Sequence, residues 1–256
     1  MFIPLHDANS LKRIRLQYVT FGLILANAIV YLSIALEPGS GALAAVGLGY
    51  IPYYAFGAPD LPLEYTLVPE QLTYLTYAFL HGDIFHLGGN MLFLWVFGDN
   101  VEDALGHFRF LAFYLLCAIC GAAFHGFVAS TSQVPLIGAS GAIAGVVAAY
   151  LILHPRVKIW ILAFGRIPLR IPAYITLVLW IGLQLLMFAT SSGEDQISWA
   201  CHVGGILAGG VLVFLLRSRD VPLFDREIVT PKAVVVDQAS AVRPVEAQPV
   251  PRWGRQ

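Results

Sequence analysis

From residue 110 to residue 155 the chain carries no Asp, Glu, Lys or Arg. One bilayer-spanning helix needs about 20 apolar residues, so this stretch is too long for one. The turn signal STSQVP at 130–135 divides it, and it reads as two spans joined by a short loop. Other charge-free stretches lie at residues 16–36, 84–98, 171–193 and 196–216. The shortest of them, IFHLGGNMLFLWVFG, is lengthened by the preceding LTYLTYAFL. With 58% hydrophobic and 12% charged residues and a mean hydropathy of +0.73, the chain departs from the roughly 25% charge of soluble domains. Its solvent is a lipid bilayer. A net charge of −1 gives no sign of a nucleic-acid partner.

Residues 38–59 are also charge-free, but three prolines and five glycines argue against a continuous helix there. Topology decides the matter. With six spans and the amino terminus inside, all fifteen Lys and Arg residues fall on the inner side, including Lys12, Arg13, Arg15, Arg109, Arg156, Lys158, Arg166, Arg170, Arg217 and Arg219. A seventh span would separate the first three cations from the rest, against the positive-inside rule. Residues 38–80 therefore form a large first outer loop, with Tyr50, Tyr53, Tyr54, Tyr65, Tyr74 and Tyr77 suited to the interface. The run at 16–36 is long enough to span, so it reads as the first membrane helix and not as a removable targeting segment. The organisation expected is an inner amino-terminal segment at 1–15, a membrane domain at 16–216 and a polar, disordered inner tail at 217–256 containing five prolines.

In this scheme the second, fourth and sixth spans all run from outside to inside. Near their outer starts sit His81, His86 and Asn90, then Ser140, then His202. The offsets of Ser140 and His202 from the loops before their spans correspond to roughly 7–10 Å of depth. Serine and histidine inside spans often serve only as hydrogen-bonding glue between helices. Here, however, Gly141 and Gly145 form one small-xxx-small pair, and Gly205 and Gly209 form another on the His202 face. Close approach of the fourth and sixth spans would bring Ser140 to His202, and a serine hydroxyl becomes nucleophilic when a base takes its proton. Asp83, Asp99, Glu102, Asp103, Glu194 and Asp195 all fall at span ends, so a Ser-His dyad is favoured over a triad. Cys117 and Cys120 form a C-x-x-C within an apolar run and read as small buried hydrophobes.

Three motifs occur in order on these spans: HGDIFHLGGNMLFLWVFGDNVED (81–103), GASG (138–141) and ACHVGGILAGG (200–210). Together they resemble the rhomboid family of intramembrane serine proteases over roughly residues 15–216. The resemblance implies an all-α polytopic membrane protein: a six-helix rhomboid-like bundle with a large first outer loop. It implies Ser140 as nucleophile and His202 as base, with His86 and Asn90 as oxyanion-stabilising donors beside the Ser140 backbone N–H. His81, Gly138 and Gly141 take supporting roles. Two departures stand out: Cys201 occupies a position where alanine is common, and the first outer loop lacks the Trp-Arg pair of many members.

The expected activity is a serine endopeptidase that cuts transmembrane protein substrates near the outer face and needs no metal or other cofactor. Zinc held by His81, His86 and His202 is the competing reading of the histidines, but no carboxylate or thiolate completes a pattern. No H-E-x-x-H occurs, and no pair of carboxylates lies inside spans. The alternatives are a membrane transporter or channel, for which no inverted repeat is evident, and a non-catalytic rhomboid-like substrate-binding protein. The expected location is multi-pass in a bacterial cytoplasmic membrane, with both termini cytoplasmic.

Overall fold

The computed structural model describes residues 2–57, 60–191 and 198–224. The chain is mostly helical. Helix α1 (Tyr18–Ala35) is followed by short helices α2 (Ser40–Leu48), α3 (Pro52–Ala55) and α4 (Glu70–Thr76) and a 3-10 turn at Tyr77–Phe79. Then come α5 (Ile84–Leu105), α6 (His107–Val128), α7 (Ser140–Leu153), α8 (Ala173–Thr190) and α9 (Trp199–Leu216). Four of these, α1, α6, α8 and α9, are long and apolar enough to cross a membrane, and α7 is a shorter apolar helix. Residues 38–57 do not form one helix, since the backbone is extended at Gly49 and Ile51 between α2 and α3. The Glu194–Asp195 loop and residues 225–256 of the expected tail lie outside the described residues.

The all-α expectation needs a correction. Three strands, β1 (Phe2–Asp7), β2 (Lys158–Ala163) and β3 (Ile167–Pro172), form an antiparallel sheet in that order. Phe2 pairs with Ala163 and Asp7 with Ile159, while Lys158 pairs with Pro172. Ile159 and Ile161 are buried, while Lys158 before them and Trp160 between them are exposed. That period of two is what a half-buried strand requires. The sheet joins the segment before α1 to the linker between α7 and α8. It therefore sits at the end of the bundle where α5, α7 and α9 finish and α1, α6 and α8 begin.

The acidic end of α5 organises this region. Helix α5 runs past the charge-free stretch, and Glu102 and Asp103 are buried within it. Helix α1 has no side-chain cap of its own. Instead Glu102 accepts from Val19 N (3.0 Å), Thr20 N (2.8 Å) and Thr20 Oγ1 (2.7 Å), and also pairs with His107. A carboxylate on these otherwise orphaned N–H groups replaces the missing cap. Asp103 accepts from the N–H groups of Lys12, Arg13 and Ile14. Asp7 Oδ2 accepts from Tyr150 Oη at 2.6 Å and Asn100 Nδ2 at 2.9 Å, fixing β1 to α7 and α5.

At the opposite end the segment between α1 and α5 packs onto the connector before α7. Tyr50 and Leu136 exchange backbone hydrogen bonds of 3.1 and 2.8 Å, and Gly138 N donates to Tyr77 O at 2.9 Å. Tyr50 and Tyr77 are wholly buried. These two tyrosines are packing residues and not the interfacial anchors that hydropathy suggested, because the loop folds back over the helices.

Candidate active site

Helix α7 begins at Ser140, and the geometry before it depends on glycine. Gly138 has φ +121, a conformation that side chains rarely adopt, and a Cβ there would lie 2.7 Å from His86 Nε2. Helix α7 has no side-chain cap, and its first backbone bond runs from Ile143 N to Ala139 O. The N–H groups of Ser140, Gly141 and Ala142 therefore stand at the positive end of the helix dipole with no partner inside the helix.

Helix α9 lies against α7 along glycines. A Cβ on Gly205 would overlap the Gly141 carbonyl, and one on Gly209 the Gly145 carbonyl. A Cβ on Gly141 would come 2.5 Å from Cys201 Sγ. Ser198 opens α9 by accepting from Cys201 N at 3.1 Å, and His125 of α6 meets the Ser198 hydroxyl at 2.8 Å. One turn further on, His202 Nε2 lies 2.8 Å from Ser140 Oγ. His202 is buried and Ser140 half-buried. The Trp199 ring meets the imidazole edge-on, with centroids 5.8 Å apart.

Helix α5 supplies the facing wall. Asp83 caps it, accepting from Phe85 N at 2.7 Å and His86 N at 2.9 Å. Those two donors hold its carboxyl below the ordinary carboxylate range. His86 and Asn90 are one turn apart, and both reach toward Gly138, which lies two residues before Ser140. Asn90 Nδ2 also meets His81 Nε2 at 3.0 Å, so His81 holds the amide while the His81 and His86 rings pack edge-on at 5.0 Å.

Ser140, His202, His86, Asn90 and His81 thus lie together at one end of the bundle. The arrangement is a hydroxyl against an imidazole, faced by N–H donors, and this is the set that acyl transfer uses. Among the described residues no group of three or more His, Cys, Asp or Glu could hold a metal ion. Cys117 and Cys201 are buried, Cys120 is exposed, and all three are free.

One residue of the site escaped the sequence reading. Gln184 of α8 is buried, and its Oε1 lies 2.7 Å from His202 Nδ1. Its signal was present as the sole amide side chain in that span, and a buried polar group inside a span needs a partner.

Residues 69–219 match a family model described as the Rhomboid domain. Among curated proteins the chain is 29% identical over 172 residues to "Rhomboid protein 1, mitochondrial" of Saccharomyces cerevisiae, covering 65% of this chain and 48% of that protein. It is 31% identical over 155 residues to "RHOMBOID-like protein 12, mitochondrial" of Arabidopsis thaliana, covering 54% of this chain and 44% of that one. To "Presenilin-associated rhomboid-like protein, mitochondrial" of Homo sapiens it is 30% identical over 138 residues, or 51% and 34%. The matched part is about half of the yeast relative or less. With its apolar spans and this domain match, the chain is an integral membrane protein that belongs to the rhomboid family.

Proposed function

We propose that the chain is a serine-type endopeptidase that cleaves transmembrane protein substrates within the bilayer, near its outer face. The observation that carries this reading is the 2.8 Å contact between His202 Nε2 and Ser140 Oγ. His202 takes the hydroxyl proton as Oγ attacks the scissile carbonyl, then gives it to the leaving amine, and water releases the acyl group through the same base. The oxyanion formed in each half is met by His86, Asn90 and the free N–H groups at the start of α7. Membership of the rhomboid family supports the reading. A transporter, a channel or a non-catalytic binding protein would not require a base aligned on a serine that also faces N–H donors.

In the same reading α5 and α7 also cross the membrane, making six spans around the large first outer loop. Support comes from the cations Lys12, Arg13, Arg15, Arg156, Lys158, Arg166, Arg170, Arg217 and Arg219, which follow or precede the helix ends gathered around the sheet. Both ends of the described chain, at Phe2 and Phe224, then lie on that inner side. The mitochondrial names of the relatives lean against a bacterial cytoplasmic membrane. Favoured cleavage sites have small residues in locally unwound segments, because regular helix hides its carbonyls and the glycine-lined site admits little bulk.

The test is cleavage of a tagged model membrane substrate by the purified protein. Ser140→Ala and His202→Ala each abolish it while remaining folded, and the double variant is no worse than either single one. A fluorophosphonate labels Ser140 in the wild type and labels His202→Ala poorly. Substantial cleavage by Ser140→Ala overturns the proposal.

A further inference from the structure

We propose that Gln184 is the positioning residue of the candidate base: its side-chain carbonyl accepts the His202 Nδ1 proton and so leaves the Nε2 lone pair facing Ser140. The inference rests on the serine-protease reading above and adds a third helix to it. Neither the sequence motifs nor the family match assigns this residue a role.

The argument begins with the orientation of the amide. Gln184 Nε2 donates to the Trp180 carbonyl at 3.3 Å, one turn back along α8. A flipped amide would set its oxygen against that carbonyl oxygen, two acceptors with no proton between them. Oε1 is therefore the atom 2.7 Å from His202 Nδ1. An acceptor requires a donor opposite it, so the neutral imidazole carries its proton on Nδ1. Nε2, at 2.8 Å from Ser140 Oγ, is then unprotonated and able to take the hydroxyl proton. In the other tautomer Nε2 would be a donor and the serine would have no base.

Geometry adds a second constraint. His202 is four residues into α9, and two of its neighbours in that first turn are tied elsewhere: Ser198 to His125, and Cys201 to Tyr77. Gln184 alone among the described polar side chains bonds the imidazole from the side opposite Ser140. An uncharged amide suits this depth, since a carboxylate would need a counter-charge that no described Lys or Arg side chain supplies to it. The other ionisable group facing the ring from a packed element is His86 of α5.

The experiment uses the purified protein with the variants Gln184→Leu, Gln184→Glu, Ser140→Ala and His202→Ala. Gln184→Leu retains the volume and removes the acceptor. Its kcat and its rate of fluorophosphonate labelling fall about 10²-fold, with KM changed by less than about twofold. Gln184→Glu restores an acceptor and recovers labelling well above Gln184→Leu. Its carboxylate favours the imidazolium, so the acid limb of its pH–rate profile moves to higher pH. A residue that only packs would give wild-type rates in Gln184→Leu and superposable profiles in Gln184→Glu, and that result overturns the proposal. Ser140→Ala separates this failure from failure of the protease reading, because cleavage that survives in it removes the serine mechanism itself. A readout independent of activity is the ¹⁵N spectrum of histidine-labelled protein, with His202 assigned by its absence in His202→Ala. The wild type shows the Nδ1–H tautomer and Gln184→Leu loses that preference. An Nε2–H tautomer in the wild type also overturns the proposal.

Discussion

Gly205 of α9 lies so close to Gly141 of α7 that a side chain on the first would overlap the backbone carbonyl of the second. The contact is three residues beyond His202 and one beyond Ser140, so the backbone approach and the hydroxyl–imidazole contact share one geometry. Gly205→Ala must push the helices apart, at a cost of about 1–3 kcal/mol. A displacement of about 1 Å at the dyad costs roughly 10²-fold in rate. We expect loss of cleavage with a lowered melting temperature. Gly210→Ala is the control, because its Cβ would meet only Ile152 Cδ1 at 4.0 Å and both properties should hold. Equal activity in the two variants would count against the close approach as the source of the dyad.

The donors on α5 predict a graded series. Removing one oxyanion donor lowers kcat by about 10²–10³, or roughly 3 kcal/mol, with little change in KM. Asn90→Ala and His86→Ala should each show this, impaired but measurable, unlike Ser140→Ala. His81→Ala should cost less, since it releases the Asn90 amide without removing it. Chelators should change nothing. Activity lost in 1,10-phenanthroline and restored by zinc would reassign the histidines, and wild-type rates in both His86→Ala and Asn90→Ala would leave the oxyanion to backbone groups.

Asp7 gives the sheet end of the bundle a pH dependence. Burial pushes its carboxyl up to about 6 from 3.8, against the lowering effect of the Tyr150 hydroxyl. The folded chain holds this proton more tightly than the unfolded one. The stabilisation is therefore complete below about 3.8 and lost as pH rises through about 6. Asp99 is the other carboxyl close to it. Asp7→Asn keeps an acceptor for Tyr150 and removes the charge, so it should stabilise by about 2 kcal/mol at pH 7.5 and by nothing at pH 4. Melting temperatures in detergent at the two pH values test this, and an equal difference at both would refute it.

The helices and the residues at the site were legible because their signals are local. Charge-free length marks spans, and glycines four apart mark a face on which another helix can rest. Ser140, His202, His86 and Asn90 each stood out as polar groups in apolar surroundings. The sheet was not legible, since KIWILA and IPLRIP flank a turn carrying Arg166 and read as a charged inner linker. Their partner strand lies at the far amino-terminal end, and no local pattern in FIPLHD announces a pairing with residues 159–163. Glu102 and Asp103 read as span-end charges because their partners, the N–H groups of residues 12–20, are backbone atoms invisible to motif reading. Gln184 was passed over for a related reason: one amide in a span has no meaning until the helix opposite is known.

The pairing of Phe2 with Ala163 also sets an order of assembly. The amino-terminal strand is made first, yet its hydrogen-bonding partner emerges only after α1 to α7 have been synthesised. At about 5–20 residues per second the strand waits roughly 10–30 s with its edge open and Asp7 without Tyr150. Helices α1 to α7 are therefore synthesised before the sheet can close, whereas α8 and α9 follow its last strands. A bulky fusion ahead of Phe2 should slow that closing step and leave the insertion of the earlier helices untouched.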